Sequence, residues 1–420
     1  MEENVFVARL RNAGAHVYVV GGWVRDLVRG VRPKDKDYMI TGIDEAQFCA
    51  LFPDAFKVGG SFPVFRLSIA NGYDREPSEV AFARRERKTG PGYRGFAVEF
   101  DPSVTLEDDL FRRDTTMNAL ALELPADIAR PDIIDLYGGV ADIKAQRIRA
   151  VSQHFLDDPV RALRAARQAA QFGFTIEAGT YELMRAVKSD LAGEPSERIM
   201  NELRLALASP RPSLFFVALQ RAGLLETIFP ELHALIGKIQ PVAFHPEGDA
   251  FNHTMLVLDE VAAETDSLRA RFAGLAHDLG KGVTPPEMLP HHYGHEVKGL
   301  DVLAAWNRRM TLPHDWLAAA RFTIREHMRT PRLQKPQKIV DLLLALDKSV
   351  MTIDEYQAVI RADSHGLPPY LAQAAEILPV LKSVSGKDAP AGLQGADIGK
   401  WIRAQQARKY VELRRTRGQG

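Results

Sequence analysis

The chain is 420 residues long, room for two to four domains at roughly 100–200 residues each. With 46% apolar and 26% charged residues it is not a disordered chain. Its 54 basic and 54 acidic residues cancel, so bulk charge neither favours nor excludes a nucleic-acid partner. One cysteine, Cys49, excludes an internal disulfide and a cysteine-built zinc site. No run approaches the ~18–20 apolar residues of a membrane span, so none is expected. The acidic start Met1-Glu2-Glu3-Asn4 does not read as a secretory signal, and the cytoplasm is the expected setting.

In chain order, residues 17–20 form a short β-branched and aromatic run closed by Gly21-Gly22, which predicts a buried strand. Residues 23–30 predict a short helix ending at Gly30. Segments 37–40, 64–70 and 79–83 predict further strands. From about residue 153 the pattern turns helical, with helices predicted over 159–172, 180–190, 196–208, 213–222, 253–264 and 268–279. Breaks at 241–246, 285–286 and 368–369 carry the prolines. The fold class is α+β: an α/β head followed by an all-α body.

The head carries the first chemical signal. Gly21 and Gly22 stand between a strand and a helix, where a bare main chain and free N–H groups can approach an anion. Arg25, in the first turn, could clamp a phosphate bidentately. Downstream, Asp35 and Asp37 alternate with Lys34 and Lys36. On a strand the two aspartates share a face, ~7 Å apart along the chain. Carboxylates so placed suit Mg²⁺, and two-metal phosphoryl chemistry holds its ions ~3.5–4 Å apart. Glu79 is the candidate third carboxylate; the other reading makes it an exposed strand residue.

A glycine turn followed by Asp-x-Asp is similar to the polymerase-β-like nucleotidyltransferases. The runs 21–26, 34–37, 106–120 (Leu-Glu-Asp-Asp-Leu-Phe-Arg-Arg-Asp-Thr-Thr-Met-Asn-Ala-Leu) and 135–142 together resemble the class II tRNA nucleotidyltransferases, that is, CCA-adding enzymes and bacterial poly(A) polymerases. Trp23 stands where that family usually has a small residue, and Thr115 where phenylalanine or leucine is usual. Neither change removes a charged group.

Residues 157–167 open a helix. Asp158 before Pro159 reads as an N-cap, and Arg161, Arg164 and Arg167 read equally as a solvated face. The same geometry permits base reading. A carboxylate accepting from an exocyclic amine, beside a guanidinium donating to the adjacent ring nitrogen, matches cytosine and adenine. Uracil and guanine offer the reverse, a mismatch costing on the order of a few kcal/mol. The resemblance assigns base reading to Asp158 and Arg161, and nucleotide contacts to Gly22, Arg113, Arg164 and Arg167. The usual Glu-Asp of the family is Asp157-Asp158 here. The basic loop 84–94 is read as a lid or a tRNA contact. Residues 196–203 resemble a bracing motif. The basic tail, 400–420, is either a frayed end or a surface for RNA phosphates.

His253, His277-Asp278 and Asp363 resemble the H…HD…D ligand set of HD phosphohydrolases, with His295 and His327 as candidate outer ligands or substrate contacts. Imidazole with carboxylate suits Ni²⁺, Mn²⁺ or a similar divalent ion. A head and an HD domain in one chain are similar to multifunctional members of the CCA-adding family. The resemblance implies a head over 1–150, a helical neck over 151–240, an HD domain over 250–365 and a helical basic tail over 366–420. It further implies addition of C, C and A to tRNA from CTP and ATP, with phosphatase, 2′-nucleotidase and 2′,3′-cyclic phosphodiesterase activities, in a monomer or homodimer. The alternative is a poly(A) polymerase or an A-adding-only enzyme of the same family.

Overall fold

A computed structural model of the chain describes residues 1–58, 62–72, 77–88, 90, 96–242 and 245–416. The chain divides into two compact units, Met1–Pro195 with Val217–Thr227, and Ser196–Phe216 with Ile228–Gly420.

The first unit is built on β1 (His16–Val20), β2 (Tyr38–Thr41), β3 (Phe56–Val58), β4 (Val64–Leu67), β5 (Ser78–Phe82), β6 (Arg85–Lys88), β7 (Phe96–Glu99), β8 (Leu120–Glu123) and β9 (Ile133–Asp135). Seven of these form one sheet in the order β3-β4-β5-β2-β1-β8-β9. Its neighbours are antiparallel except for the parallel pair β2–β5. Both faces of the centre are covered, which explains the unbroken apolar run of β1. Tyr18, Val20, Met39, Ala119 and Ala121 pack on one face with Val104 and Leu110. Residues of the opposite parity, Tyr38 and Phe82 among them, meet Phe6 and Phe48 in edge-to-face contacts. The predicted strands and the glycine turn are present, although the strand expected over 64–70 ends at Leu67.

The hairpin β6–β7 was not visible in the sequence, because a strand of alternating Arg and Glu carries no apolar period. It occupies part of the segment read as a lid; Thr89 and residues 91–95 of that segment lie outside the described residues. Helix α1 (Gly22–Val28) follows β1, and helix α2 (Val160–Phe172) ends at Gly173.

The second unit is helical. Helices α3 (Ala250–Glu264), α4 (Leu268–Ala276), α5 (His295–Met310), α6 (His314–Glu326) and α7 (Ile353–Ser364) surround the second site. The helix expected over 268–279 stops at Ala276, and a 3-10 turn, Leu279–Val283, takes over. That turn lies backbone-to-backbone on α5. A Cβ on Gly280 would meet the His295 carbonyl oxygen at 2.0 Å, so glycine is what lets the turn seat there. The expected 180–190 helix is two, Ala178–Ala186 and Lys188–Leu191. The tail forms a helix, Ala396–Thr416, docked through the buried Tyr410 and a bond from Gln406 to the Leu381 carbonyl, so it is not frayed through Thr416. Residues 417–420 lie outside the described residues. Among the described residues no helix is long and apolar enough to cross a membrane.

Candidate active sites

The head site begins at Gly21, whose φ of +71° and ψ of −128° suit glycine alone. The conformation swings the chain from β1 into α1. Val20 donates its N–H to the Asp37 carbonyl at 3.4 Å, so the acidic pair lies beside the glycine turn. Asp35 and Asp37 are exposed and Lys36 between them is buried, the alternation of an extended segment with both aspartates on one face. Lys36 points the other way, to Glu3 at 2.5 Å and over the Trp23 ring at 5.1 Å. Trp23 is thus a buried packing residue beneath the acidic segment.

The pairing of Tyr38 with Val80 carries Asp37 alongside Glu79 one step earlier. The three carboxylates share a sheet face but do not converge as a chelating triad, and Glu79 accepts from Arg66 at 3.1 Å. A donor set of oxygens alone fits a hard ion such as Mg²⁺.

Around the turn, arginines and carboxylates alternate. Asp109, buried, accepts from Arg113 at 2.8 Å and from Arg112 at 2.5 Å. Burial alone would raise its pKa, but the two guanidinium groups outweigh burial and hold it at about 2. Arg113 also donates to the Asn118 carbonyl at 3.2 Å. The Asn118 side chain accepts from Arg25 at 2.8 Å and donates to Asp114 at 3.1 Å. The Arg25 fork is engaged by Asp26 at 3.0 Å and its plane lies 4.6 Å over Phe172, so a phosphate would have to displace Asp26 to be clamped there. Gly22 opens α1 directly beneath that guanidinium. Asp109, Asn118 and Glu86 were not singled out by the sequence. The Asp109/Arg113 spacing of four on a helical turn is the one local signal that existed.

Helix α2 starts where expected. Asp158 caps the Val160 N–H at 3.1 Å. Arg161 is buried, donates to the His154 carbonyl at 2.5 Å and lies 3.7 Å from Glu86. Burial lowers its pKa, opposed by Asp114, Asp158 and Glu86. Glu86 also binds Arg84 at 2.8 Å and Arg112 at 3.1 Å, which ties the base-reading candidate to the network on Asp109. Arg164 is exposed, 3.9 Å from Asp114, and Arg167 donates to Gln171 on its own helix. The structure therefore joins Arg25, Arg113 and Arg161 in one network, with Arg164 reaching it through Asp114.

In the body the four predicted ligands converge. His253 on α3 lies 3.2 Å from Asp363 on α7, and His277 lies 3.2 Å from Asp278 and 3.4 Å from Asp363. His295 and His327 approach Asp278 at 3.3 and 3.5 Å, closer than an outer role requires. Both Asp278 oxygens are buried, and neither accepts a hydrogen bond of good geometry, although Lys281 pairs with one at 2.5 Å. A buried carboxylate ringed by imidazoles is a fit for a divalent cation. Glu247, which accepts from His253 at 2.7 Å, and Lys281 also belong to the site, and no motif marks either of them.

Family models match the head, the region after it and the helical body in turn. Residues 17–149 match the Poly A polymerase head domain, 173–236 the probable RNA and SrmB-binding site of polymerase A, and 249–359 the HD domain. The Multifunctional CCA protein of Xanthomonas campestris pv. campestris is 39% identical over 96% of this chain and 99% of its own length. The chain belongs to the multifunctional CCA proteins. It is accordingly a CCA-adding nucleotidyltransferase with an HD domain. A family member from Shewanella denitrificans is 42% identical over 74% of this chain and 73% of its own length. Among solved structures, a Bacillus stearothermophilus CCA-adding enzyme in complex with CTP shares the fold, with a TM-score of 0.64 at 21% identity, covering 99% of this chain and 97% of that one.

Proposed function

We propose that this chain adds C, C and A to tRNA 3′ ends from CTP and ATP without a nucleic-acid template, and that its HD domain trims damaged 3′ ends as a phosphatase, 2′-nucleotidase and 2′,3′-cyclic phosphodiesterase. The observation that carries the first half is the position of the acidic segment against the glycine turn, fixed by the Val20–Asp37 bond. Mg²⁺ held by Asp35 and Asp37, with Glu79 as candidate third ligand, would supply acidification of the terminal 3′-hydroxyl and charge neutralisation at the triphosphate. The chain's own part is binding and orientation. Arg164 and Arg167 are offered as triphosphate contacts and Arg113 as a further nucleotide contact, with Gly22 giving main-chain access.

Asp158 and Arg161 choose the base. A buried Arg161, held by Glu86, can donate to N3 of cytosine or N1 of adenine, while Asp158 accepts from the amino group. Uracil and guanine leave that charge facing an N–H, at a cost on the order of a few kcal/mol. Protein side chains thus stand in for a template strand.

The HD half rests on the convergence of His253, His277, Asp278 and Asp363. Ni²⁺ or another divalent transition metal there would supply an activated water for phosphoester cleavage. Glu247 orients the His253 ring from behind. A monomer or a homodimer is compatible with this scheme.

The test is incorporation into tRNA lacking its CCA end. With CTP alone the product should grow by two cytidines and stop; adenosine should enter only after them. Incorporation of adenosine without cytidine would overturn the reading in favour of an A-adding-only enzyme or a poly(A) polymerase.

A further inference from the structure

The second unit leaves few large apolar side chains in solvent, and they gather in one region. Among its described residues the exposed ones are Ile239, Val242, Leu256, Val283, Tyr293 and Val297. All but Leu256 lie on the segments 238–242, 281–284 and 291–297. These segments are tied together. His292 donates its Nε2 proton to the Ile239 carbonyl at 3.1 Å and accepts from the Thr284 hydroxyl at 2.8 Å. Lys238 donates to the Thr284 carbonyl at 2.6 Å. The same segments carry part of the HD site: Gln240 holds Lys281 at 2.5 Å, Lys281 pairs with Asp278, and His295 approaches Asp278 at 3.3 Å. Exposed apolar surface gathered beside a site marks a place where something binds.

Tyr293 is the one aromatic among these side chains and is 69% exposed. The exposed His291 stacks on it, with ring centroids 5.5 Å apart and planes 23° from parallel. The turn that carries the pair is pinned on both sides of Tyr293, by the two bonds of the His292 ring and by His295, which turns Nδ1 to the His292 carbonyl at 2.7 Å. A flat ring held in solvent and backed by a second ring is the kind of platform on which a nucleobase stacks. We infer that Tyr293, backed by His291, stacks on the base of the RNA's 3′-terminal nucleotide while the phosphate of that nucleotide lies at the HD site. The inference rests on the HD domain acting on nucleotide phosphoesters, and adds to that reading the group that recognises the nucleoside.

Stacking suits this task because every base has a π-face, so a platform accepts whichever base a damaged end exposes. The preset ring pair also lowers the ordering cost of binding. The segments that carry the apolar side chains also carry Lys281 and His295, so their occupant is the molecule on which the HD site works rather than a second copy of the chain.

The full chain is assayed for hydrolysis of 2′,3′-cyclic AMP and of methyl riboside 2,3-cyclic phosphate, which carries the same ester and no base. The quantity read is the ratio of kcat/KM for the two esters. Tyr293→Ala should lower that ratio on the order of 10–100-fold, through KM, and Tyr293→Phe should hold it within about twofold. A parent that cleaves only the base-bearing ester makes its KM the readout, with the same expected shifts. An unchanged ratio in Tyr293→Ala, or an equal loss on both esters, overturns the platform and leaves the hydrolase reading standing. An unchanged ratio with a fall in mass by light scattering does the same and marks the patch as an interface between copies. No hydrolysis of either ester by the parent overturns both readings.

Discussion

Asp109 is the hinge of the head network, and its replacement by asparagine isolates the charge from the shape. The carboxylate is buried and pairs with Arg112 and Arg113. Its pKa falls from the ordinary 3.8 to about 2, which corresponds to ~2.5 kcal/mol of stability at neutral pH. Arg112 keeps Glu86 and Arg113 keeps the Asn118 carbonyl, so no guanidinium is left unpaired and the loss stays at that size. Because the folded pKa lies below the unfolded one, this stability is complete above about pH 4 and is lost as pH falls through about 2. The assay is hydrogen exchange of peptides covering residues 105–120, in rising urea. At pH 7, Asp109→Asn should lose protection by ~50–100-fold where exchange follows global opening of the head. The difference from the parent should shrink as pH falls from about 4 to about 2. Equal protection at pH 7, or a difference that does not change with acid, would refute the argument that this ion pair holds the segment under the glycine turn.

Further outcomes follow from the same geometry. Gly21→Ala should destabilise the head by ~1–3 kcal/mol, because φ is +71° and the new Cβ would meet Arg113 Nη1 at 2.9 Å; weaker CTP binding by calorimetry would accompany it. Arg161→Met should erode the preference for CTP over UTP by on the order of 10²-fold in kcat/KM, with the helix intact by circular dichroism. Glu86→Gln should erode the same preference by about tenfold, because it loosens Arg161 without touching the base.

Much of this was legible in local pattern. The β1 run, the glycine turn and the Asp35/Asp37 alternation depend on neighbours in sequence, and the fold keeps them. The adjacent His277-Asp278 pair was equally readable, since the end of one helix delivers both. What sequence could not give is adjacency made by return of the chain. Asn118 links Arg25 to Asp114 because β8 pairs with β1, a relation with no periodic trace. Gln240 reaches Lys281, which pairs with Asp278, across 41 residues of sequence. The inward turn of His295 and His327 depends on backbone carbonyls at the ends of helices, which no motif records. Position alone makes Arg25 a phosphate clamp; the fork of Asp26 beside it decides its present partner.

The most direct measurement of the whole account assays both reactions on one protein preparation. Nucleotide addition to tRNA lacking CCA and hydrolysis of a 2′,3′-cyclic phosphate are followed for the parent, Asp35→Ala, Asp37→Ala and Asp363→Ala chains. The account predicts reciprocal loss: the first two variants stop adding nucleotides and still hydrolyse, and the third still adds and no longer hydrolyses. Loss of both reactions in any one folded variant would contradict it.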